Sequence, residues 1–126
     1  MNIIDCQNEL TALELSPPAA RTSTVTGSAV DLLGYKGRIK VSQEVGAVTG
    51  TSPTLDGKIQ DSADGSTGWA DVTGATFTQV TASTSLLSIG VDTRLAKRYI
   101  RYVGTIAGTT PSFTMAVNAV GQKQTI

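Results

Sequence analysis

Apolar residues recur at every second position along most of this chain and rarely at helical spacing. From Arg38 to Val48, Ile39, Val41, Val45 and Ala47 fall on one face, and Thr54 to Asp61 puts Leu55, Gly57 and Ile59 together. A period of two marks a half-buried strand. Similar short runs cover Trp69 to Thr73, Phe77 to Thr81, Ser85 to Val91, Lys97 to Ala107 and Ser112 to Val120, with a first strand near Val25 to Leu33. Turn-forming stretches separate them, among them Ser62-Ala63-Asp64-Gly65-Ser66-Thr67-Gly68. About eight short strands without a strong helix predict an all-β sandwich.

One device occurs twice. Val45-Gly46-Ala47-Val48-Thr49-Gly50-Thr51-Ser52-Pro53-Thr54-Leu55 returns as Val103-Gly104-Thr105-Ile106-Ala107-Gly108-Thr109-Thr110-Pro111-Ser112-Phe113. Glycine permits unusual backbone angles, and proline fixes φ while removing a donor. Set between alternating runs, each Gly-Thr-x-Pro segment predicts a hairpin with a short loop. The two hairpins would occupy matching positions in two similar halves, with Leu55, Ile59, Phe113, Met115 and Val117 facing inward.

The N-terminal residues break the pattern. Leu10, Leu13 and Leu15 are too few for a helix, and Pro17-Pro18 would stop one. Residues 1–24 are therefore expected to be an extended arm, and residues 25–126 the sandwich domain. The arm's apolar residues, Ile3, Ile4, Leu10, Leu13 and Leu15, need cover, either on the sandwich itself or on a neighbouring molecule.

Composition narrows the function. The 126 residues make one domain, with 16% charged residues against about 25% in typical soluble domains. Formal net charge is zero, so no global field draws the chain to nucleic acid or a membrane. Charges are nevertheless separated along the sequence. Arg94, Lys97, Arg98 and Arg101 cluster, whereas Asp5, Glu9 and Glu14 make the N-terminus acidic. Four cations on one strand are a weak footprint for nucleic acid. The single cysteine, Cys6, excludes an internal disulfide. The acidic N-terminus does not read as a signal peptide, and no apolar run approaches about 18 residues, so synthesis in the cytoplasm is expected.

Chemistry is scarce. With no histidine, the commonest general base, the Ser-His and Cys-His systems and the usual zinc ligands are missing. The acidic loop fails as an EF-hand, which needs ligands at its first, third and fifth positions, glycine sixth and glutamate twelfth. Counting from Asp61, Ala63 stands third, Gly65 fifth and Val72 twelfth. Looser calcium coordination by Asp61, Asp64 and Asp71 stays open. Aromatic residues are 5% of the chain, too few for a typical sugar-stacking surface, and Trp69 is expected to cover one end of the core. Neither an enzyme nor a cofactor is expected.

The stretch from Val30 to Val120 resembles the small jelly-roll proteins of tailed phages that decorate or cement capsids. The resemblance is carried by Ala29-Val30-Asp31-Leu32-Leu33-Gly34, the Ile39 to Val48 strand, and Gly50-Thr51-Ser52-Pro53-Thr54-Leu55 leading to Lys58-Ile59-Gln60-Asp61-Ser62. Asp64-Gly65, Trp69, Lys97-Arg98-Tyr99-Ile100-Arg101 and Gly108-Thr109-Thr110-Pro111-Ser112-Phe113 complete it. Discoidin-type jelly rolls share part of this order. The resemblance implies a jelly-roll-like sandwich attached to the outside of an icosahedral shell, with the major capsid protein and further copies of itself, as a homodimer or homotrimer, for partners. A tail or baseplate component and a carbohydrate-binding jelly-roll module are the alternatives. Ile3, Ile4, Leu10, Leu13, Leu15, Lys97, Arg98 and Arg101 are the residues expected at the capsid or oligomer interface.

Overall fold

A computed structural model describes residues 10–123, and among them every regular element is a strand. The strands are β1 (Leu10–Arg21), β2 (Val25–Thr26), β3 (Val30–Asp31), β4 (Tyr35–Ser62), β5 (Ala70–Thr76), β6 (Ser85–Asp92) and β7 (Tyr99–Lys123). The frame is a ribbon of two very long antiparallel strands, β4 with 28 residues and β7 with 25, paired from Tyr35↔Lys123 to Ser62↔Tyr99. Neither strand is straight. At mid-length both bulge together, and the ribbon bends there into two halves.

In one half β6 lies beside β4 and β1 beside β7; in the other β5 lies beside β4, and β2 and β3 beside β7. The halves close on one core that includes Ile39, Val41 and Val117 from the first and Ile59, Ile100 and Tyr102 from the second. The chain is thus an all-β sandwich folded from a single seven-stranded sheet. Leu55, Ile59, Phe113, Met115 and Val117 are all buried, as their alternation predicts.

The repeated Gly-Thr-x-Pro segments are not hairpin turns. They lie against each other, Val48 opposite Phe113, Thr51 opposite Thr109 and Leu55 opposite Ile106. Gly50 has φ 112° and Gly108 φ 122°, and Ser52 and Thr110 also have positive φ. Each copy adds irregular residues to its own strand, which sharpens bend and twist. Because identical bulges face one another, the strands turn a corner side by side and neither folds back on itself. The bulge between Val45 and Val48 also shifts the alternation, leaving Ala47 exposed and not on the face of Ile39, Val41 and Val45.

The expected arm is corrected as well. From Leu10 onward it is strand β1, paired with β7 from Leu10↔Gln122 to Arg21↔Phe113. Leu15 is 1% exposed and Leu13 packs against the core, so these two serve the chain's own interior. Pro17 and Pro18 lie where the register shifts between Ser16 and Ala19. An edge strand tolerates them because its outer donors have no ladder partner to lose. Arg21 steadies the bulge by donating to Ser16 Oγ (3.3 Å) and Pro17 O (3.1 Å). Ile3 and Ile4 lie outside the described residues.

Two further expectations change. The strand expected near Val25 to Leu33 is two short pieces, β2 and β3, joined across Gly27, whose N–H donates to Tyr102 O (2.8 Å). Phe77 to Thr81 is held at single points, Phe77 N–H on Gly57 O and Val80 bridging Leu55, which buries Phe77 and Val80 without a strand. Between the halves, the Tyr102 hydroxyl donates to buried Gln43 Oε1 at 2.5 Å, and burial pushes the phenol above its usual pKa. A Cβ on Gly57 or Gly104 would collide with this pair, so both positions stay bare.

Candidate functional site

One surface that combines exposed apolar and cationic groups is the end of the sandwich formed by the β3–β4 and β6–β7 connections. In the first, Asp31 Oδ1 accepts the Leu33 N–H (2.9 Å) and Tyr35 N–H bonds Leu32 O (3.0 Å). This tight turn, with Gly34 at φ 92°, drives Leu32 inward at 5% exposed and Leu33 outward at 69%. In the second, Asp92 Oδ1 accepts the Arg94 N–H (2.9 Å), and Asp92 O accepts from Leu95 and Ala96. That turn projects Leu95, 83% exposed.

The loops are tied together. Leu32 N–H donates to Arg98 O (2.7 Å), and Thr93 donates to Gly37 O through both N–H (2.9 Å) and hydroxyl (2.8 Å). The Arg98 guanidinium grips Asp31 with two bonds, 3.0 and 2.9 Å, and stacks 5.1 Å from the Tyr99 ring centroid. A shallow cleft of about 320 Å³ runs between Leu32–Tyr35 on one side and Thr93, Ala96, Lys97 and Arg98 on the other. Arg94 pairs with Asp92, and Arg98 with Asp31, whereas Lys36 and Lys97 form no ion pair among the described residues. The result is a firm surface with two projecting leucines and a surplus of positive charge.

Lys97 and Arg98 therefore stand together at this end, and Arg101 does not join them. Arg101 lies on the outer face of the second half, bonded to Gln60 Oε1 (3.0 and 2.8 Å), its guanidinium 4.3 Å from the Trp69 ring centroid. Trp69 is accordingly half-buried under Arg101 and is not part of the core. Among the arm residues, Leu13 and Leu15 are taken up by the fold, and Leu10 is half-buried opposite Gln122. Leu33 and Leu95 were not legible as surface residues. The adjacent Leu32-Leu33 pair was the available signal, since neighbours on an extended chain point opposite ways.

The three loop aspartates have separate tasks. Asp61 Oδ2 accepts the Lys97 N–H (3.0 Å), joining this loop to the basic end. Asp71 takes bonds from Lys58 and Gln60. Asp64 organises its own turn, accepting from the N–H groups of Thr67 (2.8 Å) and Ser66 (2.9 Å) and from two hydroxyls. Among the described residues no three Cys, Asp or Glu side chains gather as a metal site.

These bonds have a pH consequence. The Thr67 and Ser66 N–H groups hold the Asp64 carboxyl far below the usual carboxylate range. Asp31, Asp71 and Asp92 are lowered in the same sense, chiefly by side-chain bonds from Arg98, Gln60 and Arg94. A carboxyl depressed in the folded state contributes stability that is present above its unfolded pKa, about 3.9, and is lost as pH falls below it. The urea midpoint should therefore drop between pH 7 and pH 3, and drop less in Asp64→Asn. An equal drop in both proteins would remove Asp64 from this account.

No helix among the described residues is long and apolar enough to cross a membrane. No protein-family model matches the chain, and no curated protein matches it significantly.

Proposed function

We propose that this chain is a virion structural protein that binds the outside of an icosahedral phage capsid and stabilises it. The observation that carries the proposal is the firm loop end, where Leu33 and Leu95 project beside Lys97 and Arg98. Apolar anchors with a cationic rim suit a large protein surface of apolar and acidic character. The all-β sandwich is the fold class that the resemblance of Val30 to Val120 implies, and the lack of histidine in the chain agrees with a binding role. A protein that binds the assembled shell and not loose subunits raises shell stability by mass action. Trp69 does not favour the carbohydrate-binding alternative, because one face of its ring is taken by Arg101.

Quantitative mass spectrometry of purified parent particles tests this directly. Copy number should approach that of the major capsid protein; a few copies per particle would point to the tail, and none would overturn the proposal. At residue level, Leu33→Asp with Leu95→Asp should abolish binding to undecorated capsids with little change in melting temperature, since both side chains are in water already. Unchanged binding would move the capsid-facing surface elsewhere.

A further inference from the structure

We infer that β6 is a docking edge for a second copy of this chain, paired antiparallel about a two-fold axis at Ser88. Strand β6 pairs only with β4 among the described residues. Edges exposed in this way are ordinarily blunted by charge, proline or bulges. The opposite edge of the same half, β1, has all three in Glu14, Pro17-Pro18 and its register shifts. Strand β6 has none of them from Ser85 to Val91, where its sequence is Ser-Leu-Leu-Ser-Ile-Gly-Val and its pairing with β4 is unbroken.

The backbone is set for this pairing. Thr84 N–H bonds Gly46 O in register with the β4–β6 ladder. Antiparallel alternation then turns the N–H and C=O groups of Leu86, Ser88 and Gly90 toward β4, and those of Ser85, Leu87 and Ile89 outward, whereas Val91, 1% exposed, is already covered within the chain. A two-fold at Ser88 sets Leu87 against Ile89 of the second copy and Ile89 against its Leu87, the part of the edge that is open. Leu87 and Ile89 thereby each meet another outward-facing residue.

Charge fixes the same register. Lys40, Ser42 and Glu44 of β4 are level with Gly90, Ser88 and Leu86 of β6. Lys40 and Glu44 are exposed, as are Leu86, Ser88 and Gly90. Across the two-fold, one row reads Lys40, Gly90, then Leu86 and Glu44 of the second copy, and its mate reads the reverse. Opposite charges thus end both of these rows, about 14 Å apart at the backbone with long side chains reaching inward. The Arg38 guanidinium lies over Gly90, where a Cβ would meet its Nε at 3.0 Å, and adds positive charge facing that glutamate. Leu86, 68% exposed, would be covered against the bare Gly90 of the other copy. A pairing slipped by one position at the axis loses these charge rows. The two-fold uses each edge once, so assembly closes at the dimer.

The inference does not depend on capsid binding and is tested on the purified chain. Light scattering over a concentration series reaching about 0.5 mM suits so small an interface. The native chain should move from 13.0 kDa toward twice that mass. Glu44→Lys sets like charge against Lys40 and Arg38 of the other copy and should weaken association at least about tenfold, with Lys40→Glu weakening it less. Mixing the two variants restores opposite charges in both rows, so a heterodimer should form where neither variant alone dimerises. Amide exchange at Leu87 and Ile89 should slow as concentration rises. A native chain that stays monomeric overturns the inference, as does a dimer indifferent to Glu44→Lys, a mixture that fails to pair, or a dimer whose Leu87 and Ile89 amides exchange as in the monomer.

Discussion

Phe113→Ala is expected to cost the fold about 3–5 kcal/mol. Phe113 is fully buried in β7 immediately past the corner of the ribbon, flanked by Val48 of β4 and Arg21 of β1. Deleting its ring removes the transfer energy of a large apolar group. It also leaves a cavity at the bend, where the bulged strands of the ribbon have little freedom to collapse into it. Phe113 belongs to one core with other fully buried side chains, including Val45, Leu55 and Val117. Urea unfolding of the two proteins at neutral pH measures the difference. A loss below about 1 kcal/mol would mean that the ring is not packed as described, and that the strand register on this face is wrong by one residue.

Alternation made the inner faces of the long strands legible, because one buried face imposes a strict period of two. It identified Leu55, Ile59, Phe113, Met115 and Val117, and it failed at Ala47, where a bulge resets the phase. The N-terminal strand is not legible in the sequence, because Leu13 and Leu15 are only two alternating residues before a double proline. A proline pair ends a helix, whereas an edge strand can bulge around it. The basic residues Lys97 and Arg98 could be found from composition. Their neighbours Leu33 and Leu95 could not, since exposure at those positions is decided by turns that Asp31 and Asp92 organise. Gln43, fully buried against Tyr102, was equally illegible: in sequence it is one more polar residue in an alternating run.

The repeated Gly-Thr-x-Pro segments show why local motifs leave topology open. Glycine and proline specify a sharp change of direction, and a chain can satisfy that by folding back on itself or by bending beside a partner that bends equally. Here the partner is the second copy of the motif, so the contacts are reciprocal. A Cβ on Gly50 would lie 2.7 Å from Thr110 O and 2.8 Å from Pro111 Cα; one on Gly108 would lie 2.8 Å from Ser52 O and 2.9 Å from Pro53 Cα. These are backbone atoms that cannot rotate away. Gly50→Ala and Gly108→Ala should each cost about 1–3 kcal/mol from positive φ alone. With the clash added, each should lose at least about 3 kcal/mol, a size reserved for a few mechanisms of this kind. Because the two sites are near-equivalents, their losses should agree within about 1 kcal/mol. Gly34→Ala is the control: its φ is 92°, yet nothing lies within 4 Å of its added Cβ, so only the strain applies. Urea midpoints for the three variants decide the matter. If the corner variants lose no more than Gly34→Ala, the ribbon can open at its bend and the facing bulges are not what holds the sandwich closed.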